Sequence, residues 1–119
     1  MSARVTSAVW VSAYVRRCAV AGAPAYVIRK GAEAAGAIFI KVNRLDGSVL
    51  LLAPAPQALL ADADHARAWM PWRAGEAVPE ADADAYLARE TRFDPDLWLV
   101  EIEDRQGRHF LLQSEVVAG

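Results

Sequence analysis

The sequence predicts an α+β domain in two layers, a mostly antiparallel sheet of about five or six strands with two helices, in the order α-β-β-β-β-α-β-β. Three observations carry that prediction. Residues 37 to 53 are two apolar runs joined by Leu45-Asp46-Gly47-Ser48, the pattern of a β-hairpin with Gly where the turn needs positive φ. Sixty positions on, residues 97 to 112 repeat that shape around Gln106-Gly107. Two further segments, one before Gly22 and one after Pro79, place apolar residues at the i, i+3, i+4 spacing of a helix face.

The first helix is capped by Thr6 or Ser7, and Ala8, Val11, Val15, Cys18 and Ala19 form its apolar stripe. Arg16 and Arg17 suit the negative end of its dipole, and Gly22 followed by Pro24 stops it. Residues 25 to 29 read as a short strand ended by Lys30-Gly31. Residues 36 to 42 form a better one, with Ile38, Ile40 and Val42 on one face and Ala37, Phe39 and Lys41 on the other. The return strand through Val49-Leu50-Leu51-Leu52 is apolar on both faces, so something must cover each side. Pro54 and Pro56 end it, and a connection with one helical turn at residues 58 to 61 follows. Residues 65 to 72 alternate again, and Pro71 places that run at a sheet edge.

Pro79 opens the second helix, with Glu80, Asp82 and Asp84 at its positive end, Arg89 and Arg92 at its negative end, and Ala83, Tyr86, Leu87 and Phe93 as its stripe. Pro95 biases Asp94 away from helical geometry and ends it. Residues 97 to 103 and 108 to 113 then pair as a final hairpin, and both helices cover one face of the sheet. The sixty-residue echo is not read as a duplication, because residues 26 to 29 look like strand and their counterparts 86 to 89 look like helix.

Composition narrows the function classes. With 119 residues, 55% hydrophobic and 24% charged, the chain is a single domain able to bury a core without staples. One cysteine, Cys18, excludes an internal disulfide, and with no signal-peptide order at the N-terminus and no apolar run near 20 residues, a cytoplasmic protein off the membrane is expected. The net charge of −2 divides into +5 over residues 1–56 and −7 over residues 57–119. Two halves that neutralise one another on packing explain this better than a basic face for an anionic partner, because the basic residues are scattered.

No catalytic constellation, metal site or cofactor motif is present. His65, just after Asp62 and Asp64, lacks the further ligands of a zinc site, and His109 reads as an edge histidine. Glu101 and Glu103 share a strand face, the pattern of a solvated face paired with Arg residues on its neighbour. Cys18 reads as a buried thiol. The glycine-flanked loop from Lys30 to Gly36 matches no phosphate-loop motif, yet its backbone donors and Arg29 offer a place for an anion. Trp69 and Trp72, interleaved with Arg67 and Arg73, suit protein contact better than base stacking in so acidic a half.

The stretches RVTSAVWVSAYVRR (residues 4–17), IRKGAEAAGAIFIKV (28–42) and ARETRFDPDLWLVEIED (88–104) resemble the domain of unknown function 1491 family, small bacterial proteins found mainly in alphaproteobacteria. The resemblance runs from about Arg4 to about Leu112. The Arg-Phe-Asp-Pro-Asp-Leu-Trp stretch is its most specific part, and residues 55 to 78 are the least typical. It implies a small cytoplasmic domain and, with no assigned residues to carry over, no activity.

The function is therefore unknown from sequence. The preferred reading is a non-enzymatic interaction or accessory protein, a homodimer or bound to another protein, acting through Trp69, Trp72 and the strand at residues 49 to 52. The alternative is a small-molecule or anion-binding protein, or an enzyme, with a site at Arg29, Glu33, Asp94, Asp96 and Trp98. Nucleic-acid binding through Arg16, Arg17, Arg29 and Lys30 is the least favoured.

Overall fold

Helix α1 (Ser7–Val20) starts where Thr6, in extended geometry, accepts the Val9 amide on its hydroxyl, and it ends before Gly22 at φ 89°. Its buried face is Ser7, Trp10, Val11, Tyr14 and Cys18. That face is turned from the expected stripe: the large aromatics Trp10 and Tyr14 go inward, Ala8 and Val15 flank it, and Ala19 is exposed. These features belong to a computed structural model describing residues 5–56 and 67–117. His65 with its flanking aspartates, and the expected turn at residues 58 to 61, lie outside the described residues.

The strands are β1 (Ala25–Arg29), β2 (Ile38–Asn43), β3 (Ser48–Pro54), β4 (Trp69–Pro71), β5 (Val78–Pro79) and β6 (Trp98–Glu103), and helix α2 (Glu80–Phe93) precedes β6. The sheet order is β1-β6-β2-β3-β4, with β5 also on β3. Every pair is antiparallel except β2–β6, so the α+β class with two helices and a mostly antiparallel sheet stands. The β2–β3 hairpin closes as expected: Asp46 accepts the Ser48 amide and hydroxyl, and Gly47 takes φ 89°. In the parallel pair Ile38 faces Trp98, Phe39 faces Leu99 and Ile40 faces Val100, a register of sixty residues. The echo in the sequence is thus two neighbouring strands paired parallel and in register.

The helices lie on opposite faces, not on one. Under α1, the side chains of Ile38, Ile40, Val42, Leu52, Val100 and Ile102 meet Trp10, Val11, Tyr14 and Cys18. Under α2, Phe39, Val49, Leu51 and Leu97 meet Ala83 and Leu87. Both faces of β3 are therefore covered by the chain itself, which removes that strand as a docking surface. Phe93 does not join the α2 stripe; it is 85% exposed at the last turn.

The second arm of the expected C-terminal hairpin is not a strand. β6 already has β1 on one side and β2 on the other, so no ladder position remains for residues 108 to 113. The Asp104 carboxylate instead accepts the Arg108 amide, Nε and Nη2, which holds its pKa below the usual carboxylate range and turns the chain. Phe110 at φ 59° breaks extended geometry. The segment then crosses α1, where the Tyr14 hydroxyl donates to the His109 carbonyl and Arg17 reaches the Phe110 carbonyl and Glu115. Burial pushes the Tyr14 phenol far above its ordinary value.

His109 Nδ1 accepts the Leu111 amide at 2.9 Å, and burial lowers its pKa below 6.5, with Glu115 opposing. The folded chain thus binds that proton more weakly than the unfolded chain does, so His109 favours folding above pH 6.5 and that contribution is lost as pH falls from there through the folded pKa. Urea unfolding at pH 7.5 and pH 5 is expected to show a smaller acid loss in His109→Asn, which keeps an acceptor without a titration, than in the wild type. Equal losses would contradict the assignment.

Candidate functional site

The two edges of the sheet are treated differently by the chain. At the β4 edge, Pro71 and Pro79 remove donors, and the C-terminal segment pairs with Trp69 through Val116 while the Val117 amide donates to the Trp69 carbonyl. At the other edge β1 bonds to β6 only. Its outward N–H and C=O groups face away from the sheet, and Tyr26, Val27 and Ile28 are 49%, 45% and 55% exposed. Three consecutive exposed apolar residues on a sheet edge are unusual. The register shifts at a β-bulge between Val27 and Arg29, and the strand ends on the charged Arg29.

Beside this edge, an apolar groove of about 480 Å³ runs between α1 and β1, walled by Ala8, Val11, Val15, Val27 and Trp98, with Lys30 and Glu33 at its mouth. The edge and the groove share Val27 and form one surface.

At the end of β1 the structure brings together the expected ligand-site residues, mostly through main chain. Arg29 Nη2 donates to the Pro95 carbonyl at 2.6 Å, the Ala32 amide donates to the Asp96 carbonyl, and Trp98 Nε1 donates to the Ala32 carbonyl. The Glu33 and Ala34 carbonyls accept the Ala8 and Ser7 amides, and the Gly36 carbonyl accepts the Ser7 hydroxyl. Asp94 accepts the Asp96 amide on its own side chain. The loop thus presents carbonyls to the first turn of α1, the reverse of the anion-binding arrangement its glycines suggest. Those glycines serve close approach: a methyl group on Gly31 or Gly36 would overlap the Asp96 carbonyl oxygen.

The tryptophans proposed for contact divide. Trp69 is 2% exposed, packs on Trp10 with ring centroids 4.5 Å apart and donates Nε1 to the Ile38 carbonyl, so it is a core residue and not a surface anchor. Trp72 is half-buried, stacked on Tyr86 on one face and covered by Arg73 on the other, which leaves neither face for a base. Arg73, Ala74 and Gly75 follow in a left-handed turn, with φ of 50°, 57° and 81°. Of the basic residues considered for nucleic acid, Arg17, Arg29 and Lys30 are engaged with Glu115, Pro95 and Glu33.

One cluster escaped the sequence. Lys41, 5% exposed on β2, holds Glu80 and Asp84 of α2 and Glu101 of β6 at 2.9, 3.1 and 3.1 Å. Burial works to lower its pKa, and the hydrogen bonds to Glu80, Glu101 and Asp84 outweigh it, so the ammonium stays charged well above its ordinary range. Glu101 is paired with this lysine and not with an arginine. The signal available was a lysine at an inward position of an apolar strand. Among the described residues no group of three His, Cys, Asp or Glu is placed to hold a metal ion, and no helix is long and apolar enough to cross a membrane.

The chain is similar over residues 5–112 to the family described as protein of unknown function DUF1491. Among solved structures it is similar to the crystal structure of a DUF1491 family protein from Caulobacter crescentus CB15, with TM-score 0.77 and 42% identity over 95% of this chain and 99% of that one. An NMR structure of a DUF1491 family protein from the same organism gives 0.75 at 42% identity, covering 98% and 99%. A solution structure of a protein from A. tumefaciens gives 0.72 at 47% identity, covering 84% and 86%. No curated protein matches the chain.

Proposed function

For a chain that belongs to the DUF1491 family, proteins of unknown function, we propose a role as a non-enzymatic interaction protein that binds an extended polypeptide by strand addition at β1. The observation that carries the reading is the open β1 edge with Tyr26, Val27 and Ile28 exposed, on a sheet whose other edge the chain caps with its own C-terminal segment. Strand addition draws affinity from main-chain hydrogen bonds and specificity from alternate side chains, and here the groove beside Val27 supplies the apolar pocket. Its place is the cytoplasm, a reading supported by the single free thiol, Cys18, kept inside the core.

A displayed library of extended peptides tests this directly. Selection on the wild type is expected to enrich alternating apolar sequences, and Ile28→Lys, a gatekeeping charge on the edge, is expected to abolish their binding. Binders indifferent to that substitution, or none at all, would sink the proposal.

A further inference from the structure

We infer that the hollow between the last turns of α2 and the sheet binds an organic cation, an ammonium or guanidinium head on an aliphatic stem, a function separate from the β1 edge. The hollow holds about 280 Å³, with Phe39, Leu97, Tyr86, Glu90, Phe93 and Asp94 in its lining. That volume suits one long basic side chain or an amine of similar size. Charge selects the occupant. Among the described residues Glu90 and Asp94 are the only charged groups lining the hollow, and no basic side chain pairs with either. At the other end of α2 the carboxylates are answered, Glu80 and Asp84 by Lys41 and Asp82 by Arg73. Arg89 and Arg92 are exposed on the same turns as Glu90 but line no part of the hollow. Glu90 and Asp94 also stand at the negative end of the helix dipole, where an anion is disfavoured and a cation stabilised.

The rings select an organic head over a hydrated metal ion. Phe39 and Tyr86 meet edge to face, with centroids 6.4 Å apart and planes at 65°. Phe93, 85% exposed, sets a further ring between the two carboxylates in sequence, where a cation over its face gains from the ring and from both charges. The carboxylates are held before any ligand arrives. The Tyr86 hydroxyl donates to Glu90 Oε1 at 3.2 Å and leaves Oε2 for the ligand, and Asp94 Oδ1 accepts the Asp96 amide at 3.2 Å. Burial and the Glu90 charge push the Tyr86 phenol above its ordinary value, so it stays a donor.

Amide NMR of the isotope-labelled protein tests this. Titration with n-butylguanidinium or n-butylammonium is expected to shift the amides of Ala53 and of residues 93, 94 and 97, while n-butanol, a neutral molecule with the same stem, and sodium ions leave them in place. Glu90→Gln keeps an acceptor for Tyr86 and Asp94→Asn keeps one for Asp96, and each is expected to weaken binding about two- to fivefold. Phe93→Ala is expected to weaken it by about the same factor. The three together are expected to abolish the shifts with the rest of the spectrum unchanged. Blocked arginine and lysine amides separate the two sources of such a head: tighter binding than the bare alkyl cations assigns the hollow to a basic side chain of a polypeptide, and weaker binding to a free amine. Equal shifts with n-butanol, no localised shift at large molar excess, or undiminished cation binding in the Glu90→Gln, Asp94→Asn double variant overturns the inference.

Discussion

Lys41→Met is expected to lower the free energy of unfolding by about 3 kcal/mol, because it strips the counter-charge from a largely buried carboxylate. The Glu101 side chain is 14% exposed and has Lys41 directly across the parallel pair, whereas Glu80 and Asp84 on α2 retain contact with water. The damage therefore falls mainly on Glu101, and the double substitution Lys41→Met with Glu101→Leu is expected to recover more than half of the loss. Urea unfolding of the four proteins of this cycle checks it. A single-substitution loss under about 0.5 kcal/mol would show the cluster to be no more than a surface ion pair.

Gly31→Ala is the second large effect, expected at about 2–3 kcal/mol or more. The added methyl group would overlap the Asp96 carbonyl oxygen and lie 2.6 Å from the Leu97 carbonyl carbon, both main-chain atoms without a rotamer to yield. Relief requires the loop to lift from the Asp94–Trp98 turn, which breaks the Ala32–Asp96 bond and the Trp98 Nε1 bond to Ala32. Gly22→Ala is the control, since nothing lies within 4 Å of its methyl group and only its φ of 89° is strained. Thermal melts should therefore rank Gly31→Ala well below Gly22→Ala; the reverse order would mean the loop is not seated as described.

What the sequence made legible was local. The β2–β3 hairpin, the caps of both helices and the strand at β1 follow from alternation, turn residues and periodicity within a few positions of one another. What it hid was pairing over distance. Residues 108 to 113 carry strand-like residues, but whether they join the sheet depends on both sides of β6 being filled from residues 25 to 29 and 38 to 43. Lys41 looks like any basic residue until carboxylates 39, 43 and 60 positions away converge on it. Gly31 and Gly36 read as loop flexibility because the carbonyl that excludes their side chains belongs to residue 96. Trp69 reads as an exposed edge residue until Trp10 is folded over it.

The position of β6 also sets the order of events as the chain is made. β1 touches the rest of the sheet only through β6, although some seventy residues separate them in sequence. Until Trp98–Glu103 has left the ribosome, β1 is a lone strand, the β2–β3 hairpin lacks one neighbour, and the face that α1 must cover is missing Val100 and Ile102. The closing step is thus non-local and late, the regime in which folding is slow. During that interval both sides of β1 are open, and a nascent chain is briefly far stickier than the finished protein.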